Sequence, residues 1–427
     1  MTSPPSAPAG QSDTRHLTVP GGPAEHARSQ DPRGRAAAGF WIVGYLFAAT
    51  MAFTTLPAPL YVLYQARDHF GSAMVTVIFA AYAAGVVLSL ITVGHVSDWL
   101  GRRPMVAVAV AINMAAGLLF LTWPTVPGLL VGRVISGVSA GLLTATATAF
   151  LADLHAAARP GASQARAEVV AAAVNLGGLG AGALLAGVLA AYAGLPLTLP
   201  YLVSEGLMIA GAIALLVVPE TVPRPEHRPR YRPQRVRVPA GQRPLFYAAG
   251  LAAAVTFALF GLFTSLAPGF LSGTLHQPSH ALAGAATFVV FGAAAAAQIW
   301  VGRLPVSPGR QAVLGLSALA AGLAAVTVAV WLSSLALFLI GGVIAGAGAG
   351  AAFKNSIARA LAVAPDGARG ETLAALFVAA YLGLTVPVVG LGIATQMLST
   401  RAAVLGFAVV LIVVAGLVSR RLAAERS

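Results

Sequence analysis

Long apolar stretches follow one another from Phe40 almost to the C-terminus, and short polar or proline-containing segments separate them. Each stretch has about 20 residues, which is enough for a helix to cross about 30 Å of hydrocarbon. The pattern therefore predicts an all-α membrane protein with twelve spans. We place them at residues 40–64, 74–97, 104–123, 127–152, 166–192, 199–219, 244–270, 281–302, 311–331, 335–359, 371–397 and 402–420.

Two polar regions divide the chain. Residues 1–37 are rich in Pro, Gly, Ser and Ala, and this composition predicts a disordered tail. Residues 222–243 hold seven arginines and five prolines, which is typical of a solvated linker that touches anionic lipid headgroups. The linker separates one six-span half, residues 38–221, from a second, residues 244–422, and a short tail follows at 423–427.

The composition excludes several classes of protein. The chain is 58% hydrophobic and 9% charged, whereas a soluble domain carries about 25% charged residues. With no cysteine, it has neither disulfides nor thiolate metal sites, and we expect no metal and no cofactor. The net charge of +13 does not indicate nucleic-acid binding, because the basic residues punctuate the apolar runs instead of forming one face.

The arginines predict the orientation in the membrane. With the N-terminus inside, 22 of them fall in inner segments and only Arg67 and Arg401 in outer loops. Positive charge accumulates on the cytoplasmic side of membrane proteins. We therefore expect a multi-pass protein of the bacterial inner membrane with both termini in the cytoplasm.

The two halves repeat one another in three places that occur in the same order. At these places the first half and the second half have the same glycines, valines, arginines and one glutamate at matching positions. Such internal repetition is typical of transporters built from two related bundles. The matched pairs are residues 93–102 with 301–310, 132–141 with 341–350, and 166–168 with 369–371.

Three motifs resemble signatures of the major facilitator superfamily of secondary transporters. The loop motif G-x-x-x-D-R-x-G-R-R/K appears with Trp99 in place of its usual basic residue. A fourth-span motif, R-x-x-x-G-x-x-x-G, is complete, and the fifth-span motif of antiporters lacks its proline and one glycine. The matching residues are Gly94, Asp98, Gly101, Arg102 and Arg103, then Arg133, Gly137 and Gly141, and then Gly178, Gly182 and Gly187.

The resemblance implies two six-helix bundles that work by alternating access, with a conformational switch at the inner face. In this family the aspartate, here Asp98, meets the start of the eleventh span near Gly370 in the outward-open state, and Arg102 pairs with Asp153. The alternative is a local ion pair that holds a tight turn. We favour the switch, because Val306 replaces the aspartate in the second half and a simple turn-former would be needed in both copies.

Three charged residues inside spans are candidates for substrate binding or proton coupling. The resemblance gives Arg133 a role in the cavity and in proton coupling, with snorkelling to the surface as the alternative. Lys354 lies near the glycine face of span ten or snorkels to the inner interface, and the sequence leaves both open. For Glu205, in span six, we favour a structural role over proton exchange.

Glycines recur at spacings of four or five in spans four, five and ten. Residues four apart share a helix face, and small residues let helices approach closely in lipid. We therefore expect these glycines to pack helices together instead of contacting a ligand. They are Gly137, Gly141, Gly178, Gly182, Gly187, Gly342, Gly346 and Gly350.

The leading hypothesis for function is proton-coupled export of small lipophilic compounds by a monomer. Its partners would be the small-molecule substrate, protons and membrane lipids. Import of a metabolite such as a sugar or organic anion is the alternative within the same fold. A non-transporting membrane sensor or docking platform, with the linker as its output, is an alternative from another class. We expect no enzyme, because no catalytic constellation lies within the spans.

Overall fold

The computed structural model describes residues 32–92, 97–222, 240–365 and 369–424, and the regular structure in these ranges is entirely helical. Eleven apolar helical segments in them are long enough to cross a membrane, and a shorter apolar helix makes twelve. This confirms the predicted all-α membrane fold. The helices are α1 (Pro32–Thr55), α2 (Tyr61–Asp68), α3 (Ser72–Thr92), α4 (Ser97–Leu100), α5 (Arg102–Thr122), α6 (Val126–Ala158), α7 (Ala165–Tyr192), α8 (Leu199–Leu215), α9 (Arg243–Gly261), α10 (Ala267–Gly273), α11 (His280–Val301), α12 (Pro308–Leu332), α13 (Leu335–Ala362), α14 (Arg369–Met397) and α15 (Thr400–Ala424).

Several boundaries differ from the prediction. Helix α1 begins at Pro32, so residues 32–37, which we expected in the tail, are helical, and Ala36 is buried. Proline is compatible with the first turn of a helix. The arginines and alanines that follow favour a helix, and they outweigh the single Gly34. Helix α6 continues to Ala158, beyond the predicted end at 152, whereas α8 ends at Leu215, before the predicted 219. Residues 1–31, most of the linker and the last three residues lie outside the described ranges.

Prolines interrupt the first span of each half. Pro57 and Pro59 fall in a turn between α1 and α2, where Pro57 cannot donate a backbone hydrogen bond. In the second half a π-helical turn, Leu262–Leu266, separates α9 from α10 just before Pro268. Pro387, by contrast, lies inside α14 without ending that helix.

The two halves use the same helix pairings. In the first half α1 packs on α7 and α3 on α6, and in the second half α9 packs on α14 and α11 on α13. The main contacts between the halves are made by α7 with α11 and by α3 with α14. Each half surrounds its own apolar core.

Each of the eight predicted packing glycines lies against a neighbouring helix. A Cβ added to Gly137 would lie 2.1 Å from the carbonyl oxygen of Tyr82, and one added to Gly350 would lie 2.1 Å from that of Ala294. The absence of a side chain therefore sets the distance between α3 and α6 in one half and between α11 and α13 in the other. These contacts support the packing role expected from the spacing.

The contacts between the halves include the helix ends on one side of the bundle. Twelve crossings bring residues 32 and 424 to the same side, which we call the termini side, and we call the opposite one the far side. Ser72 begins α3 on the far side, and its hydroxyl lies 2.8 Å from that of Thr395 near the end of α14. Gly187 of α7 lies against the first turn of α11, also on the far side. Thus α3 contacts α14, and α7 contacts α11, at their far-side ends.

Candidate functional site

Arg133 is the most deeply buried charged candidate, with 1% of its surface exposed. Helix α6 carries it about two turns from the far side. Its Nε and Nη2 donate to the hydroxyl of Tyr61 at 3.0 and 2.6 Å, and its Nη1 donates to the carbonyl of Thr54. The side chain is therefore held inside the bundle, and the snorkelling alternative does not describe it.

The break in the first span explains why Thr54 can accept this bond. In a continuous helix the amide of Ala58 would donate to the Thr54 carbonyl, but here it donates to Thr55 instead, at 2.9 Å. The free carbonyl lies at the C-terminus of α1, where the helix dipole favours positive charge. Among the described residues no carboxylate forms an ion pair with Arg133. A helix end and a phenol thus stabilise the guanidinium.

Aromatic rings extend from Arg133 across the interface between the halves. The guanidinium carbon lies 5.6 Å from the ring centre of Tyr61 and 5.8 Å from that of Tyr82. The Tyr82 ring meets Tyr381 of the second half at 6.3 Å. Sequence reasoning missed these rings, because single aromatics inside spans carry no recognisable spacing. We call the connected series Tyr82, Tyr381, Phe257, Phe353 and Phe377 the aromatic bridge.

The aromatic bridge offers an apolar surface where the halves meet. Phe257, Phe377 and Tyr381 are half-buried, so part of each ring remains accessible. Aromatic faces bind apolar and π-bearing groups and attract cations. Arg133 contributes a positive charge beside this surface.

Lys354 lies far from Arg133. Its Nζ donates to the carbonyl of Gln298 at 2.7 Å, in the last turn of α11 on the termini side. A cation at this position stabilises the helix end through the dipole and the free carbonyls. Lys354 therefore caps the C-terminus of α11. The structure does not bring Lys354 and Arg133 into one site.

Glu205 lies in a third place. It is 7% exposed, and its Oε1 has no hydrogen-bond partner among the described residues. The carboxyl occupies the space beside Gly117 of α5, where an added Cβ would lie 1.8 Å from Oε1. This position is inside the first half, behind α1, and not at the interface between the halves.

The loop motif forms a cluster on the termini side. Arg102 Nε lies 3.2 Å from Asp153 Oδ2, which is the pairing that the resemblance implied. Asp153 also accepts a bond from the hydroxyl of Thr221 at 3.3 Å. Gly94 and the side chain of Asp98 lie outside the described part of the chain, so their predicted contacts stay predictions.

Glu220 completes this cluster and was missed as a site residue. Its carboxylate accepts the backbone amides of Arg102 and Arg103, both at 3.0 Å, and so caps the N-terminus of α5. Gly101 has a φ of 104°, and a Cβ there would lie 2.7 Å from Glu220 Oε2. The sequence did not indicate this contact, because Glu220 is more than 100 residues away from Arg102 and Arg103.

No group of three or more metal-ligating side chains occurs among the described residues. The fold and the site together define a multi-pass membrane transporter with two six-helix halves around a central interface. The sequence pattern of the Major Facilitator Superfamily matches residues 41–305, and the chain belongs to that family. Its members are transporters, not enzymes, and they bind small-molecule substrates.

Similar proteins of known name differ in what they handle. A multidrug resistance protein, MdtL of Klebsiella pneumoniae, is 33% identical over 81 residues, which are 19% of this chain and 21% of that protein. Monosaccharide-sensing protein 2 of Arabidopsis thaliana is 29% identical over 111 residues, which are 26% of this chain and 15% of that protein. The matched stretches thus cover about a fifth or less of these relatives.

Two solved structures share the fold over almost the whole chain. The human organic anion transporter MFSD10 (TETRAN) has a TM-score of 0.66 and 17% identity, and the match covers 91% of this chain and all of that one. A bacterial homologue of the human lysosomal transporter Spinster, solved inward-facing and unoccupied, has a TM-score of 0.67 and 17% identity. This match covers 92% of this chain and 98% of that one. At this identity the likeness establishes the fold alone.

Proposed function

We propose that this protein is a proton-coupled secondary transporter that exports small lipophilic compounds, neutral or anionic, across the bacterial inner membrane. The termini side is then cytoplasmic, as the distribution of arginines favours. The protein acts as a monomer in contact with anionic lipids. The similarity to MdtL over 81 residues agrees with export.

The aromatic bridge beside Arg133 carries the proposal. Its half-buried rings give a lipophilic compound a surface to stack on, contributed by both halves. Arg133 adds positive charge without a neighbouring carboxylate in the described part of the chain. A cationic substrate would meet repulsion there, whereas a neutral or anionic one would not.

The halves contact each other at the ends of two helix pairs on the far side. The contacts at Ser72 and Gly187 join the halves on the far side, which the proposed orientation makes the outer side. The switch cluster around Arg102 and Asp153 lies on the opposite side. We propose that Asp98 reaches the start of α14 near Gly370 when the protein turns outward-open, and so closes the inner side.

Metabolite import remains the second candidate, since one structural neighbour is an organic anion transporter and one relative is a monosaccharide-sensing protein. The arginine-rich linker at residues 222–243 motivates a third, a non-transporting sensor. The three candidates differ in flux: an exporter accumulates substrate in everted vesicles, an importer in right-side-out vesicles, and a sensor in neither.

The test is transport in oriented vesicles. Everted vesicles containing the protein receive a panel of fluorescent lipophilic dyes, organic anions and sugars, with and without an imposed proton gradient. We expect gradient-dependent accumulation of uncharged or anionic aromatic dyes, and its loss when a protonophore collapses the gradient. Accumulation only in right-side-out vesicles would overturn export, and flux that ignores the gradient would overturn proton coupling. Vesicles without the protein are the control.

A further inference from the structure

Glu205 has an unusual position among the acidic residues of this chain. Of 13 acidic residues in the sequence, it alone falls within a predicted span more than one turn from the ends. It lies six residues after the start of α8, about 9 Å below the far side by the helix rise. An ionisable residue at such a depth is costly and is commonly functional.

The surroundings of Glu205 are apolar and uncharged. Phe53 of α1 and Gly117 of α5 face it from the neighbouring helices, and Tyr201 lies one turn earlier on α8. Among the described residues no basic side chain forms an ion pair with this carboxyl. An unpaired carboxylate is strongly disfavoured in such surroundings, whereas a neutral carboxylic acid is tolerated.

A second buried polar side chain, Asn113, lies at the same contact between α5 and α8. Asn113 is one turn before Gly117 on α5, and its amide nitrogen donates to the sulfur of Met208, one turn after Glu205 on α8. The Oδ1 of Asn113 has no partner among the described residues, and neither has Oε1 of Glu205. Unpartnered buried polar atoms destabilise a fold, and packing does not explain two of them at one contact between α5 and α8, which we call the Glu205 pocket.

Hydroxyl groups lead from this pocket toward the far side. Tyr201 shares the face of α8 that carries Glu205, and its hydroxyl accepts a bond from Tyr64 of α2 at 3.2 Å. Both tyrosines are fully buried, and Tyr64 belongs to the segment that ends at the far-side surface. Hydroxyls both donate and accept hydrogen bonds, so this pair can pass a proton over part of the distance between the far side and Glu205.

We propose that the Glu205 carboxyl is the proton-carrying group of the transport cycle. The assignment rests on the proposed proton coupling and adds its site. In the present conformation the acid is neutral and enclosed by Gly117 and Phe53. It releases its proton when rearrangement of the first half gives the carboxyl a polar surrounding. Arg133 then acts as a fixed charge and Glu205 as the group that gains and loses the proton, which reverses the structural role expected from the sequence.

The first test compares Glu205→Gln with Glu168→Gln in proteoliposomes. Glutamine keeps the shape and the neutral charge of the protonated acid, so the variant should fold, and Glu168 is an exposed acid in the first turn of α7. We expect Glu205→Gln to lose gradient-driven accumulation while gradient-free exchange of substrate across the membrane continues. Glu168→Gln should behave like the wild type in both assays.

The outcomes separate the two proposals. If the wild type accumulates substrate with the proton gradient and Glu205→Gln does so equally, the assignment of Glu205 is wrong while proton coupling stands. If the wild type itself ignores the gradient, proton coupling is wrong and the role of Glu205 falls with it. An infrared difference spectrum gives a readout independent of flux: the pH-dependent band of a protonated carboxyl should be present in the wild type and absent from Glu205→Gln, and identical spectra would overturn the assignment.

A glycine pair tests the pocket itself. A methyl group at Gly117 would take the place of Glu205 Oε1, whereas one at Gly206, next to Glu205 on α8, meets nothing within 4 Å. We expect Gly117→Ala to lose gradient-driven accumulation and Gly206→Ala to retain it. Full coupling in a folded Gly117→Ala protein would contradict the need for an enclosed carboxyl.

Discussion

The guanidinium of Arg133 donates two hydrogen bonds to the phenol hydroxyl of Tyr61, from Nε at 3.0 Å and from Nη2 at 2.6 Å. The two residues are 72 positions apart, and the turn at Pro57 and Pro59 brings them together. This contact joins the broken end of the first span to the fourth span at the level where the halves meet. It therefore links the buried charge to the elements that must move in alternating access.

Removing the phenol hydroxyl should destabilise the protein. Tyr61→Phe leaves two donors of a buried guanidinium without their acceptor, at a cost of about 1–3 kcal/mol. Thermal unfolding in detergent should show a lower Tm than for Tyr192→Phe, whose side chain is 82% exposed. Equal Tm values for the two variants would show that the Tyr61 contact contributes nothing to stability.

Replacing Arg133 should affect transport more than folding. We expect Arg133→Ala to lose gradient-driven accumulation, because the fixed positive charge beside the aromatic bridge is gone. Arg133→Lys keeps the charge but not the planar fork that reaches Tyr61 and Thr54, so partial activity is expected. Vesicle uptake at matched expression measures this, and normal accumulation by Arg133→Ala would remove the residue from the mechanism.

The switch hypothesis predicts a conformational bias. A carboxylate at a helix N-terminus contributes about 0.3–1 kcal/mol when exposed and up to about 2 kcal/mol when partly buried. Since 1.4 kcal/mol is about a tenfold change in a population ratio, Asp98→Asn should stall the cycle without unfolding the protein. We expect normal insertion, lost transport and greater inner-side labelling of a cysteine near Gly370.

Arg102→Ala is the companion variant for the switch. It removes the bond to Asp153 and should shift the labelling in the same direction, but less, because Thr221 still donates to Asp153. Transport at the normal rate by Asp98→Asn would favour the alternative, a local ion pair that only holds the turn.

Glycine positions differ sharply in what they tolerate. At Gly182 an added Cβ would lie 1.8 Å from the carbonyl oxygen of Ala52, so Gly182→Ala must push α1 and α7 apart, at a cost of about 1–3 kcal/mol. At Gly416 in α15 nothing lies within 4 Å, and alanine there should be neutral or stabilise the helix by up to about 1 kcal/mol. Paired thermal melts test this, and equal Tm values would contradict the close approach of α1 and α7.

The proposed orientation can be tested by labelling, because the chain has no native cysteine. Single cysteines at Ser29 and Gln234 should be unreachable by an impermeant thiol reagent added outside intact cells, and reachable in everted vesicles. The 22 arginines assigned to inner segments are the reason. Rapid labelling of either position in intact cells would reject cytoplasmic termini.

Most of the fold could be predicted from two local features of the sequence, the glycine positions and the lengths of the apolar spans. A run of about 20 apolar residues must satisfy its backbone hydrogen bonds internally in lipid, so it becomes a helix whatever its neighbours are. Glycines four apart necessarily share a helix face, which is why Gly137 and Gly350 could be expected at close contacts. The start of α1 was misjudged, because the polar composition of residues 32–37 does not prevent a helix.

The candidate site was only partly readable. The sequence drew attention to Arg133, Lys354 and Glu205, and the resemblance supplied the pairing of Arg102 with Asp153. Neither indicated that Glu220 caps α5, 118 residues away from Arg102. Neither distinguished Lys354, which caps α11, from a residue of the central site.

The sequence by itself determined twelve apolar helices, their division into two related halves, the glycine faces and the residues whose charge is costly in lipid. The tertiary structure decided the rest: the turn at Pro57 frees the Thr54 carbonyl for Arg133, Tyr82 meets Tyr381 across the halves, and Gly117 leaves room for Glu205. The physical reason is that helix formation in lipid depends on each segment alone. The rotation and docking of a helix, by contrast, depend on many weak contacts with other segments, and no local pattern encodes them.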